Sequence, residues 1–130
     1  MCPNYQTMAN AAISAEPDIV VVAGGQNDFA AFGKNRARVT AAIKETYTKL
    51  RKALPKARII AVGPSTPWEI TPEVGDMDAA VRDAAASVKG EYINMLDPNV
   101  IDPANALPDK THVNDAGHAA IAKRILDALR

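Results

Sequence analysis

The sequence predicts an α/β protein, a three-layer α/β/α sandwich built around a parallel sheet. Strand-like apolar runs alternate with amphipathic helical stretches in the order α-β-α-β-α-β-α. The two strongest runs, Ile19-Val20-Val21-Val22-Ala23 and Ile59-Ile60-Ala61-Val62, are uninterrupted, as in strands covered on both faces. Each run stops at glycine, Gly24-Gly25 and Gly63, and opens into a loop. Strands separated by helices imply right-handed crossovers, with helices on both faces of the sheet.

Residues 4–15 place Met8, Ala9, Ala12 and Ile13 on one helical face, and Glu16-Pro17 ends that helix. The first strand covers 18–24. Residues 29–36, with Phe29, Phe32, Gly33 and Asn35, read as a loop. Val39, Ala42, Ile43, Thr46, Tyr47, Leu50 and Leu54 then form the apolar stripe of a helix that Pro55 closes. The second strand, 58–63, leads into the loop Pro64-Ser65-Thr66-Pro67-Trp68. The next helix carries Met77, Ala80, Val81, Ala84, Ala85 and Val88, with Gly90 as a left-handed stop. A short third strand is expected over 91–95, followed by a long connection, 96–113, of the kind that often carries function. The last helix starts at Asn114 as N-cap and is expected to bury Ala116, Ala119, Ala120, Ile125, Leu126 and Leu129.

A chain of 130 residues amounts to one domain at most, and one of this size can bury about two-thirds of its unfolded surface. Fifteen basic and fifteen acidic residues cancel, so no basic field argues for nucleic acid or an anionic membrane. The single Cys2 has no intrachain disulfide partner and says little about the redox compartment. No apolar stretch is long enough to span a bilayer. No basic segment followed by an apolar one marks a signal peptide; a true start at Met1 implies the cytoplasm, and a missing upstream part implies secretion.

Two short clusters carry chemistry. Gly25-Gln26-Asn27-Asp28 follows the first strand, and Asp109-Lys110-Thr111-His112 precedes the last helix. In a parallel sheet both fall on the carboxyl-end rim, where ligands and catalytic groups collect. Asp and His three residues apart in a turn can hydrogen-bond, which fixes the imidazole tautomer and leaves the other nitrogen as a base. An Asn amide donates, and so suits an oxyanion.

These residues resemble the SGNH hydrolases, the GDSL-type esterases and lipases. Gly25-Gln26-Asn27-Asp28 is similar to their third conserved block and Asp109-Lys110-Thr111-His112 to their fifth, D-x-x-H. The stretch Val113-Asn114-Asp115-Ala116-Gly117-His118 also resembles the opening of their last helix. The resemblance covers nearly the whole chain and corresponds to the carboxyl-terminal part of the family domain. It implies that Asn27 is an oxyanion-hole amide beside Gly25, that His112 is the general base and that Asp109 orients it. The implied reaction is acyl transfer from a small-molecule, lipid or carbohydrate ester to water through an acyl-serine, with no metal or organic cofactor.

The family's nucleophile lies in a Gly-Asp-Ser block near its amino terminus, and no such block occurs here. The glycine of the family's second block has no counterpart either. Residues 1–130 therefore read as a single SGNH-type domain, amino-terminally truncated and lacking the first strands and the nucleophile. In the strand order 2-1-3-4-5 the strand at 18–24 then has an unpaired apolar edge, a place for self-association.

Each residue also has a plainer reading. Ser14 and Ser87 fall in helices, and Ser65 reads as a turn hydroxyl, although it is on the rim. Cys2 is terminal. Asn27 alone would be a turn former, and Asp28 a turn cap. His118 reads as a packed first-turn residue, and Asp109, His112, Asp115 and His118 fit no metal signature. Trp68 and Phe32 either line an acyl pocket or anchor loops. Three functions compete: an ester hydrolase, a non-catalytic binding module of the same fold, and a nucleotide or phosphate binder using Gly24-Gly25 as an anion-binding turn. The last is disfavoured, because the glycines open a loop and no P-loop lysine follows. A Gly-Asp-Ser block upstream of Met1 would decide for the hydrolase.

Overall fold

The computed structural model describes residues 4–130. Helix α1 (Tyr5–Ser14) begins at Asn4, whose side chain accepts from the Thr7 amide at 2.8 Å. Strand β1 (Ile19–Val22) leads through a 3₁₀ turn (Gln26–Asp28) into α2 (Phe29–Lys34) and α3 (Arg36–Ala53). Strand β2 (Arg58–Val62), α4 (Pro72–Ser87), β3 (Glu91–Ile93), a second 3₁₀ turn (Pro103–Asn105) and α5 (Asp115–Ala128) complete the order.

The sheet is parallel, in the order β1-β2-β3, with Val20 opposite Ile59 and Ala61 opposite Tyr92. Strands added in sequence, each by a right-handed crossover, put every crossover helix on the same face. Accordingly α1, α3 and α4 share one face, where Ala9, Tyr47, Leu50, Val81 and Ala85 pack with Val20, Ile59 and Ala61. On the other face Ile60, Val62 and Ile93 meet α5 through Ile121, Ile125 and Leu129. The result is the α/β/α sandwich expected, with its two helical layers unequal.

That inequality corrects the sequence reading of β1. It is covered on one face only: Val20 is 7% exposed, whereas Ile19 and Val21 are 52% and 48% exposed. The α5 layer packs on β2 and β3 and leaves these two side chains uncovered. Among the described residues β1 also has no strand on its outer edge. An open apolar edge is a template for a further strand. The chain is therefore expected to associate as its concentration rises in sedimentation velocity, and Val21→Lys to reduce that association; a parent that stays monomeric would show that the edge is not used.

Other expectations also change. Residues 29–34 are helical, because burying Phe32, 1% exposed, outweighs the loop-forming character of the stretch. The left-handed residue after α4 is Lys89 (φ 55°), not Gly90. The Gly90 amide donates to the Ala85 carbonyl at 2.8 Å, closing a Schellman turn around Lys89. Met8 and Leu126 are more than half exposed, and Ala116 and Ala119 are exposed too. Ile121, absent from the predicted stripe, packs in their stead.

Candidate active site

The rim is built from three turns at the carboxyl ends of the strands. After β1 the chain passes through Gly24 (φ 131°) and Gly25 (φ 106°), a conformation that side-chain-bearing residues rarely adopt. Gly25 is buried and starts the 3₁₀ turn, in which the Asp28 amide donates to the Gly25 carbonyl at 2.9 Å. Asn27 is exposed in the middle of this turn. Its neighbour Gln26 donates from Nε2 to Ser65 Oγ at 2.9 Å, which ties the turn to the loop after β2.

That loop is the hub of the rim. Residues 63–67 are buried. Asn99 Nδ2 donates to the Thr66 carbonyl at 3.0 Å, and the Trp68 indole N–H donates to the Lys110 carbonyl at 2.8 Å. Trp68 is thus a loop anchor, and Phe32, buried in α2, is not a rim residue. Through these bonds the loop joins the Asn27 turn on one side to the 109–112 turn on the other.

The third turn is organised by Asp109. Its Oδ1 accepts from the amides of Thr111 and His112, both at 2.9 Å, in an Asx turn that carries Lys110 at φ 60°. Its Oδ2 lies 2.7 Å from His112 Nδ1. The His112 amide, then that of Thr111, then the His112 ring hold the Asp109 carboxyl down at about 2. An ionised carboxylate only accepts, so the imidazole carries its proton on Nδ1 and Nε2 is left with a free lone pair. Both side chains are about half exposed, 56% for His112 and 51% for Asp109, so solvent reaches the pair.

A titration follows from this. A depressed carboxylate stabilises its turn above the ordinary value near 3.8 and loses that contribution only as pH falls through about 2. The Asp109 carboxyl carbon, followed by NMR, is expected to remain in its ionised position at pH 3; a midpoint near 3.8 would show that the turn does not hold it.

The turn is fixed from both sides. The Leu107 amide donates to the His112 carbonyl at 2.8 Å, and Ala106 bridges Val113. Asn114 then caps α5, its side chain accepting from the Gly117 amide at 3.0 Å, as the sequence predicts. His118 is exposed rather than packed. Among the described residues no three His, Cys, Asp or Glu side chains are grouped to hold a metal.

None of the three serines hydrogen-bonds His112. Ser14 and Ser87 donate to the Asn10 and Ala84 carbonyls inside their helices. Ser65 is 4% exposed and engaged with Gln26. Cys2 lies outside the described residues.

Sequence reasoning missed a hydrogen-bonded pair beneath the rim, buried Asp78 and half-buried Tyr92. Asp78 of α4, 8% exposed, accepts at 2.5 Å from the Tyr92 hydroxyl. Burial raises the Asp78 carboxyl, against the lowering effect of the Tyr92 bond. The signal was present: Asp78 is the one charge in line with Val74, Val81 and Ala85 on the buried stripe of α4.

Residues 3–120 match the model of the GDSL-like lipase/acylhydrolase family. No curated protein sequence matches the chain. Among solved structures it is similar to a peptidoglycan O-acetylesterase, with a TM-score of 0.74 and 18% identity over 95% of this chain and 40% of that one. It is also similar to an alpha/beta hydrolase enzyme from the metagenome of Lake Arreo, Spain, with a TM-score of 0.71 and 19% identity over 97% of this chain and 67% of that one. At such identities the likeness is one of fold, and the chain spans less than half the length of the first neighbour.

Proposed function

Since the chain belongs to the GDSL-like lipase/acylhydrolase family, we propose that it carries the base and oxyanion side of an ester-hydrolysing site. The observation that carries this reading is the Asp109–His112 contact at 2.7 Å, which leaves Nε2 free on the rim that also holds Asn27. His112 Nε2 takes the proton of a serine hydroxyl as the serine oxygen bonds to the ester carbonyl carbon. The carbonyl oxygen becomes an oxyanion, and the Asn27 amide and Gly25 on the same turn receive it. When the tetrahedral species collapses, the ester C–O bond breaks and His112 returns the proton to the leaving alcohol. Water repeats the cycle on the acyl-serine. Asp109 keeps Nδ1 protonated and supports the imidazolium. The cleavage of O-acetyl esters by a protein of similar fold supports an ester substrate.

The nucleophile, in this reading, is none of Ser14, Ser65 and Ser87, whose hydroxyls are engaged in other hydrogen bonds. That same observation favours a second reading, a binding module that keeps Asn27 and His112 but forms no acyl-enzyme. A fluorophosphonate serine probe tests the assignment. The intact mass of residues 1–130 is expected to stay unchanged beside a labelled control esterase. A gain of one probe, lost in His112→Ala, would identify a working nucleophile within the chain and overturn the assignment.

A further inference from the structure

A cavity of about 440 Å³ lies between α1, α3 and the carboxyl end of β1. Neither Asn27 nor His112 lines it, although Gly25 of the adjoining turn does. Its volume falls among ligand sites, which run from about 300 to 1,000 Å³. It is about three times the ~150 Å³ of an apolar cavity that admits benzene. Val22, Val39, Ile43, Val62, Met77 and Val81 supply apolar wall.

Tyr47 is the most deeply buried of the polar side chains in that lining. Tyr47 is 3% exposed, and its hydroxyl has no hydrogen-bond partner among the described residues. No fully sealed side-chain oxygen or nitrogen among those residues lacks a partner, so this hydroxyl opens onto the cavity it lines. The neighbouring Tyr5 hydroxyl is already committed to the Ala23 carbonyl at 3.0 Å. Burial, and then Tyr5, push the Tyr47 phenol above its ordinary range, so it stays neutral and able to donate. Among the described residues, the charged groups lining the cavity are Asp28 and Arg38, which are opposite in sign. With no net charge among these, the described lining does not repay the desolvation of an anionic or cationic ligand.

We propose that this cavity binds an uncharged, mainly apolar ligand with one terminal oxygen, an alkyl alcohol being the simplest. Its chain lies along Val39, Ile43 and Val81, and its oxygen meets the Tyr47 hydroxyl. The site stands apart from His112, and its test does not depend on turnover. The test is titration of the full chain with 1-octanol, followed by amide NMR. Shifts are expected at the cavity-lining residues of α3 and β1. Tyr47→Phe is expected to weaken binding about 2- to 10-fold, the worth of one neutral hydrogen bond. Ala42→Phe, placed in the cavity wall, is expected to abolish it, and Val39→Trp gives a second obstruction should the first variant fail to fold. Octanoate is expected to bind at least tenfold more weakly than the alcohol. Absence of shifts, binding that survives the obstructions, or octanoate binding as tightly as octanol would each overturn the proposal.

Discussion

Replacing His112 with alanine is expected to lower kcat for ester cleavage about 10²- to 10⁴-fold in a form of the protein that carries a nucleophilic serine. The melting temperature is expected to stay almost unchanged, because the side chain is more than half exposed. Asp109→Asn separates orientation from charge. An Asn oxygen still accepts from the Thr111 and His112 amides, so the turn survives. Its amide nitrogen, however, presents a donor where Oδ2 had accepted from Nδ1. The imidazole then turns over its tautomer, placing the proton on Nε2, where the base should be. The expected signature is a fall in kcat with the turn retained. Retention of more than a tenth of the activity in His112→Ala would remove His112 from the mechanism.

Gly25→Val is expected to damage the rim. Gly25 holds φ at 106°, and a Cβ there would lie 2.9 Å from the Met77 Sδ-bound methyl group. Left-handed backbone costs a side-chain-bearing residue about 1–2 kcal/mol, and overpacking adds about 1–3 kcal/mol. The valine should therefore destabilise by about 2–5 kcal/mol in urea unfolding. It should also disturb the 3₁₀ turn that carries Asn27. A variant within 0.5 kcal/mol of the parent, a margin of about the size expected for neutral surface changes, would mean that the turn relaxes freely.

What the sequence made legible was local. The stripe of α3, the cap at Asn114 and the Asp109–His112 turn depend on spacings of three or four residues, and all three appear as read. Phe32 was misplaced because Gly33 and Asn35 carry loop character, and only tertiary burial shows that the segment is helical. The exposure of Ile19 and Val21 was hidden for a similar reason. An unbroken apolar run announces burial but does not count the layers available to provide it. The rim itself depends on bonds between distant residues, Gln26 to Ser65 and Trp68 to Lys110, for which no spacing gives a sign. Asn27 and His112 were found by resemblance to family blocks, whereas the loop that joins their turns emerged only in three dimensions.

The unequal helical layers have a consequence for the order in which the protein is made. The face of β2 and β3 occupied by Ile60, Val62 and Ile93 is closed by α5, which follows all three strands in the sequence. Translation runs from the amino terminus at about 5–20 residues per second, so the sheet and its other layer emerge first. Asn114, which caps that helix, follows closely on the Asp109–His112 turn. A nascent chain halted before residue 114 would present a bare apolar face to chaperones. In the finished protein, transient detachment of α5 would bare the same face, so the amides of that helix should share one hydrogen-exchange rate.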